Sequence, residues 1–300
     1  MALLGADPIP GAEETRPPPF VADREAAPRP AANPPPTRPL TAGAEASWAR
    51  LERSLPARIG LAVVPLYAGP ARRFGPLQVG HAWSTIKVPI VVTLMRERAG
   101  KLSRADRARA HAALTASDNE AAAALFAEIE QARGGLAGAS EAVERTLRLA
   151  GDWGTTIATA PPPSGAVSTY GQTKWSLAAS ARFFRALAVG CLLEPGASHY
   201  VLGLTEAVVG EQRWGLGEAG FEPGWKVAFK GGWGPEGSAS GSYLVRQAGL
   251  LRDGEAGIAV AIAAQADSGS FTAGVEALDR VASWLLSHLR PGPSTPATHC

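Results

Sequence analysis

Strand-like segments stand at both ends of the folded part of this chain with a long helical block between them, and that split constrains the fold most. A strand must pair or be covered, so the early strands have to find the late ones across the helical insert. Trp48, Leu51 and Leu55 recur at helical spacing until Pro56, predicting a short first helix. Ile59 to Leu66 is continuously apolar, Tyr67 to Pro70 reads as a turn, and Arg73 to Val79 is a second extended piece. The pattern is helical from Ser84 to Ala99, ends at Gly100, and is helical again over most of Ser103 to Leu149. Gly151 to Tyr170 reads as a long irregular loop, followed by a helix over Trp175 to Ala188. Trp225 to Lys230, Ser242 to Leu250 and Glu255 to Ala264 read as strands, the last two joined at Arg252-Asp253-Gly254. Val275, Leu278, Ala282, Leu285 and Leu289 mark a closing amphipathic helix. No internal repeat is visible. The expectation is an α+β domain with an antiparallel sheet built from both chain ends, flanked by helices, plus an all-helical subdomain over about 84–200.

Composition bounds what such a domain does. The chain has 300 residues, 46% of them hydrophobic, enough for one large core. Residues 1–40 hold 11 of the 25 prolines, including Pro17-Pro18-Pro19 and Pro34-Pro35-Pro36. We therefore expect a disordered proline-rich arm over 1–45, a folded domain over 46–290 and a disordered tail over 291–300. A net charge of +2 supplies no field for a nucleic-acid backbone. Two cysteines, Cys191 and Cys300, make no disulfide framework, and the five histidines lack zinc-ligand spacing. The expectation is no metal and no cofactor. Val88 to Met95 is far shorter than the roughly 20 residues a membrane helix needs, and the first residues lack the basic and apolar parts of an export signal.

Lysine is used sparingly, five residues against 24 arginines, and a desolvated lysine can become a neutral base where arginine cannot. Lys87 follows Ser84 by three residues in Ser84-Thr85-Ile86-Lys87 at a predicted helix start, so both face the same way. There Lys87 can take the proton of Ser84 Oγ while the helix N-terminus favours the oxyanion. Ser117-Asp118-Asn119 and Lys230-Gly231-Gly232-Trp233 follow in that order. Ser117 can relay a proton to a leaving group, Asn119 can bond a substrate amide, and Lys230 can attract an anion and depress the pKa of Lys87. Gly231 and Gly232 let a substrate lie against the strand. Trp83 and Trp233 flank these motifs as cleft walls or as core. Each motif alone is commonly a cap or a turn; their conjunction is the signal.

With these motifs the chain resembles the active-site-serine penicillin-recognising enzymes, most of all class A β-lactamase-like domains, over about residues 46 to 290. The resemblance implies Ser84 as nucleophile, Lys87 as general-base partner, Ser117 as proton relay, Asn119 as substrate and lysine ligand, and Lys230 as anion-attracting cation. It implies an oxyanion hole from the N–H groups of Ser84 and Trp233, with Gly232 beside the substrate. The function expected from it is serine hydrolysis of a β-lactam or related amide or ester. The alternatives are a D-alanyl-D-alanine peptidase or esterase, and a non-catalytic binding protein on the same scaffold. A monomer acting outside the cytoplasmic membrane on a β-lactam or peptidoglycan-type small molecule completes the expectation. Two departures stand out. No Asp or Glu lies between Asp152 and Glu194, where the resemblance implies a water-activating glutamate, and Gly231 replaces an expected Thr or Ser.

Overall fold

The computed structural model describes residues 40–66, 70–161, 168–236, 242–254 and 256–290. The expected arm, tail and Tyr67–Gly69 turn, and part of the expected long loop, lie outside the described residues.

Strands β1 (Ala57–Pro65), β5 (Trp225–Pro235), β6 (Tyr243–Asp253) and β7 (Ala256–Ala266) join the short β2 (Arg72–Phe74) in one antiparallel sheet. Its order is β2-β1-β7-β6-β5, so β1 pairs with β7 across the helical insert, as the split pattern requires. The near-continuous burial of β1, β6 and β7 marks strands covered on both faces. Helix α6 (Leu177–Ala188) and the helical block cover one face; α1 (Ala44–Ser54) and α8 (Phe271–His288) cover the other. Leu40 bridges to Leu289, and α1 begins at Ala44, slightly ahead of the expected boundary.

The helical block is three helices, α3 (Arg104–Thr115), α4 (Asn119–Arg133) and α5 (Leu136–Leu149), joined later by α7 (Pro195–Glu206). Each break has a local cause. Ser103 caps α3, Asp118 caps α4 through Ala121 N at 2.7 Å, and Gly134 at φ 79° ends α4. Among the described residues no helix is long and apolar enough to cross a membrane.

Two expectations are corrected. Arg73 to Val79 is not one strand: Gly75, at φ 73°, splits it into β2 and β3 (Val79–His81). A Cβ at Gly75 would stand 2.3 Å from Ile59 O, so only glycine permits the turn there. β3 pairs with β4 (Lys174–Ser176), the extended residues before α6, in a second, two-stranded sheet. Nor does an α-helix begin at Ser84. Trp83–Ile86 is a 3-10 turn, and α2 (Lys87–Glu97) starts at Lys87.

Arg246 ties the two sheets together. Fully buried on β6, it donates to the carbonyls of Gly80, His81 and Trp175 at 3.0–3.2 Å and to Ser180 Oγ at 2.7 Å. Burial lowers its pKa to about 10, against a smaller opposing effect of Glu236. Gln247, next on the strand, is buried in the opposite direction and bonds the backbone of Trp214 and Leu216.

Candidate active site

Three backbone segments meet where the sheet, the helical block and the start of α2 come together. The Trp83–Ile86 turn carries Ser84; the connection between α3 and α4 carries Ser117, and Asn119 opens α4; β5 carries Lys230 to Trp233. Two non-glycine residues here are left-handed, Trp83 at φ 47°, directly before Ser84, and Ser117 at φ 59°. Such strain persists only where the surroundings impose it. Around Ser117 they do: Asp118 N bonds Ala112 O at 3.1 Å, Val209 N bonds Thr115 O at 3.0 Å, and Gln212 Nε2 bonds Ala116 O at 3.0 Å.

The two site lysines converge on the Ser117 hydroxyl. Lys230 Nζ donates to Ser117 Oγ at 2.9 Å and to Gly231 O at 3.1 Å. Lys87 Nζ lies 3.3 Å from Ser117 Oγ and donates to Ser117 O at 2.6 Å and Asn119 Oδ1 at 2.7 Å. Among the described residues no hydrogen bond joins Lys87 to Ser84. Burial lowers the Lys87 pKa to about 8, the Asp118 charge opposing it. Lys230, wholly buried, is pushed well below the ordinary lysine value by burial and then by the charge of Lys87. Burial lowers both lysines, and it is the largest cause for each.

Along β5 the side chains alternate. Lys230 faces the helical side, and Gly232 turns its missing side chain to the Ser84 turn. A Cβ there would stand 2.8 Å from Ala82 O, 2.9 Å from Ser84 N and 3.1 Å from Thr85 N. Gly232 therefore lets the strand backbone abut the Ser84 turn. Gly231 and Trp233 point the other way. Trp214 carbons lie 3.1 and 3.2 Å from where a Gly231 Cβ would be, and the Trp233 ring packs on Trp214 and Phe271 at 5.9 and 5.8 Å. The Trp233 side chain thus belongs to the aromatic cluster behind the strand. Trp83 lies over Gly234, whose Cβ would stand 2.4 Å from its ring.

Residues that sequence reasoning did not single out complete the surroundings. The Tyr170–Gln172 turn packs on the Ser84 turn, and Gln172 Nε2 is buried without a hydrogen-bond partner among the described residues. Glu236, at the end of β5, lies 3.0 Å from His81 Nδ1 and pairs with Lys174. Burial alone would raise its pKa; the His81 and Lys174 contacts hold it below the usual range. Two further carboxylates are engaged. Asp118 caps α4, and buried Asp152 accepts from Trp175 Nε1 at 3.0 Å and Gly154 N at 3.3 Å.

The class this architecture defines is the serine β-lactamase-like fold, and solved structures agree. A class A beta-lactamase from Mycobacterium abscessus matches with TM-score 0.63 and 18% identity, over 81% of this chain and 98% of that one. A beta lactamase from Burkholderia vietnamiensis matches with TM-score 0.63 and 21% identity, over 82% and 96%. The chromosome-encoded beta-lactamase of Vibrio parahaemolyticus matches with TM-score 0.62 and 16% identity, over 81% and 98%. No protein-family model and no curated relative matches the sequence.

Proposed function

We propose that this protein is a serine hydrolase that works through an acyl-enzyme on Ser84, on a β-lactam or a related amide or ester. The observation that carries the reading is the convergence of Lys87 and Lys230 on the Ser117 hydroxyl beside the Ser84 turn. A neutral Lys87 amine gives its two N–H groups to Ser117 O and Asn119 Oδ1, which leaves a lone pair to accept a proton. Ser84 Oγ attacks the carbonyl carbon, and its proton passes to Lys87. The Oγ–C bond forms, the bond from carbonyl to leaving group breaks, and the departing nitrogen or oxygen takes the proton by way of Ser117. The N–H groups of Ser84 and Trp233 hold the oxyanion, a role consistent with the close approach of Gly232 to Ser84 N.

Water then releases the acid and restores Ser84. The engagement of Asp118, Asp152 and Glu236 in structural contacts favours slow release, and so the peptidase or esterase reading over an efficient β-lactamase. We propose a site of action outside the cytoplasmic membrane, where β-lactams and peptidoglycan are met. Intact-mass spectrometry with millimolar penicillin and, separately, a neutral aryl ester tests the reading, with Ser84→Ala beside it. We expect an acyl adduct that persists for hours and is absent from the variant. Rapid consumption of penicillin with only transient adduct would identify a β-lactamase. No adduct from either donor would overturn the acyl-enzyme and leave a binding protein.

A further inference from the structure

Cys191, the one cysteine among the described residues, is not a thiol. It stands after α6, at a turn made by Gly190 with φ 81°, and its N–H bonds Ala186 O at 2.9 Å. Its side chain packs partly buried against the core on the helical side of the sheet and is disulfide-bonded. The sequence holds a single other cysteine, Cys300. The sheet shows how the two come within reach. β1 and β7 are antiparallel, with Ala57 opposite Ala266 at one end and Pro65 opposite Ile258 at the other. α6 finishes at the Pro65 end, where Arg185 Nε donates to Pro65 O at 3.2 Å. α8 starts at the Ala57 end, where Asp267 N bonds Pro56 O at 2.9 Å, and packs back along β7 on the opposite face. Its 18 residues span about 27 Å, the length of about eight strand residues, so it too finishes level with Pro65. Two helices flanking a sheet stand about two helix diameters, or about 20 Å, apart. The ten residues after Arg290 reach about 31 Å even in the polyproline form that prolines favour, enough to pass round the end of the sheet.

We infer that Cys191 and Cys300 are joined within one chain, fastening the C-terminal tail to the α6–α7 connection, and that the protein matures in an oxidising compartment. One cysteine, as thiolate, attacks a sulfur of a disulfide oxidant such as glutathione disulfide and releases one glutathione; the second thiolate then displaces the other. The chain gains the S–S bond and gives up two thiol protons and two electrons, and the oxidant leaves as two thiols. The bond closes a loop of about 110 residues that takes in α7, β5 to β7 and α8, and so restricts the unfolded chain. The inference does not depend on Ser84 being a nucleophile.

The test starts from full-length protein that is reduced and then equilibrated in an oxidising mixture of glutathione and glutathione disulfide, with Cys300→Ser beside it. After quenching with N-ethylmaleimide, the intact mass should be two hydrogens below that of the reduced chain, with neither maleimide nor glutathione attached. A non-reducing digest should yield one linked peptide pair holding Cys191 and Cys300. Cys300→Ser should carry one adduct, at Cys191, and melt about 5–15 °C below the oxidised protein. Two capped thiols, a glutathione on each cysteine, or a disulfide-linked dimer on a non-reducing gel overturns the inference. So does a Cys300→Ser variant that melts at the temperature of the oxidised protein. None of these readouts involves Ser84, so this inference and the acyl-enzyme reading fail separately.

Discussion

Replacing Ser117 with glycine and, separately, with alanine divides backbone strain from chemistry at the centre of the site. Ser117 sits at φ 59°, where a residue bearing a Cβ is strained by about 1–2 kcal/mol and glycine is not. Both replacements delete the hydroxyl that accepts from Lys230 at 2.9 Å, leaving that buried amine only Gly231 O at 3.1 Å. The lost partner costs about 1–3 kcal/mol and is common to both variants. Only the alanine variant keeps the strain. The glycine variant should therefore be the more stable of the two by about 1 kcal/mol, or about 2–4 °C in Tm for a domain of this size. Urea titration at fixed pH gives the same comparison through the midpoint. Acylation should fall by about 10²–10⁴ in both, since each lacks the relay hydroxyl. An alanine variant as stable as the glycine variant would refute the strain argument. A glycine variant that acylates at the unmodified rate would refute the relay.

Two more outcomes follow from the same geometry. Lys87 titrates near 8 in the folded protein against 10.5 for an ordinary lysine, so between those values the unfolded chain binds the extra proton and stability rises with pH. The gain, about 3 kcal/mol across the window, should appear as a difference in urea stability between the protein and Lys87→Met that grows from pH 8 to 10.5. Acylation should rise with pH through about 8 for the same reason; a flat stability difference or a flat rate profile counts against a neutral Lys87. Gly232→Ala places a methyl carbon within 2.8–3.1 Å of three backbone atoms of the Ser84 turn, forcing strand and turn apart. It should cost about 1–3 kcal/mol and slow acylation more than Gly234→Ala, where the obstacle is the Trp83 ring. Equal rates for the two variants would refute a special role for the contact at Ser84.

What could be read from sequence, and what could not, follows a physical division. The α+β order was legible because apolar periodicity reports which faces are buried, and β1 and β7 are apolar on both. The candidate residues were legible because Ser84 and Lys87, and Ser117 and Asn119, stand at fixed short spacings along the chain, and Lys230 heads a Gly-Gly pair. Distances between elements have no such signature. Lys87 and Lys230 meet at Ser117 only because α2, the α3–α4 connection and β5 converge. Gly75 did leave a signal, the Gly-Pro pair that divides β2 from β3, and an extended reading overrode it. Gly231 shows the limit most clearly. As a letter it is a missing hydroxyl, a weakened anion site and an open space. In the fold the space is filled by Trp214, 17 residues earlier in the chain and delivered from the loop after α7. A substitution that reads as a loss in one strand is then half of a packing exchange, and the other half comes from a different element.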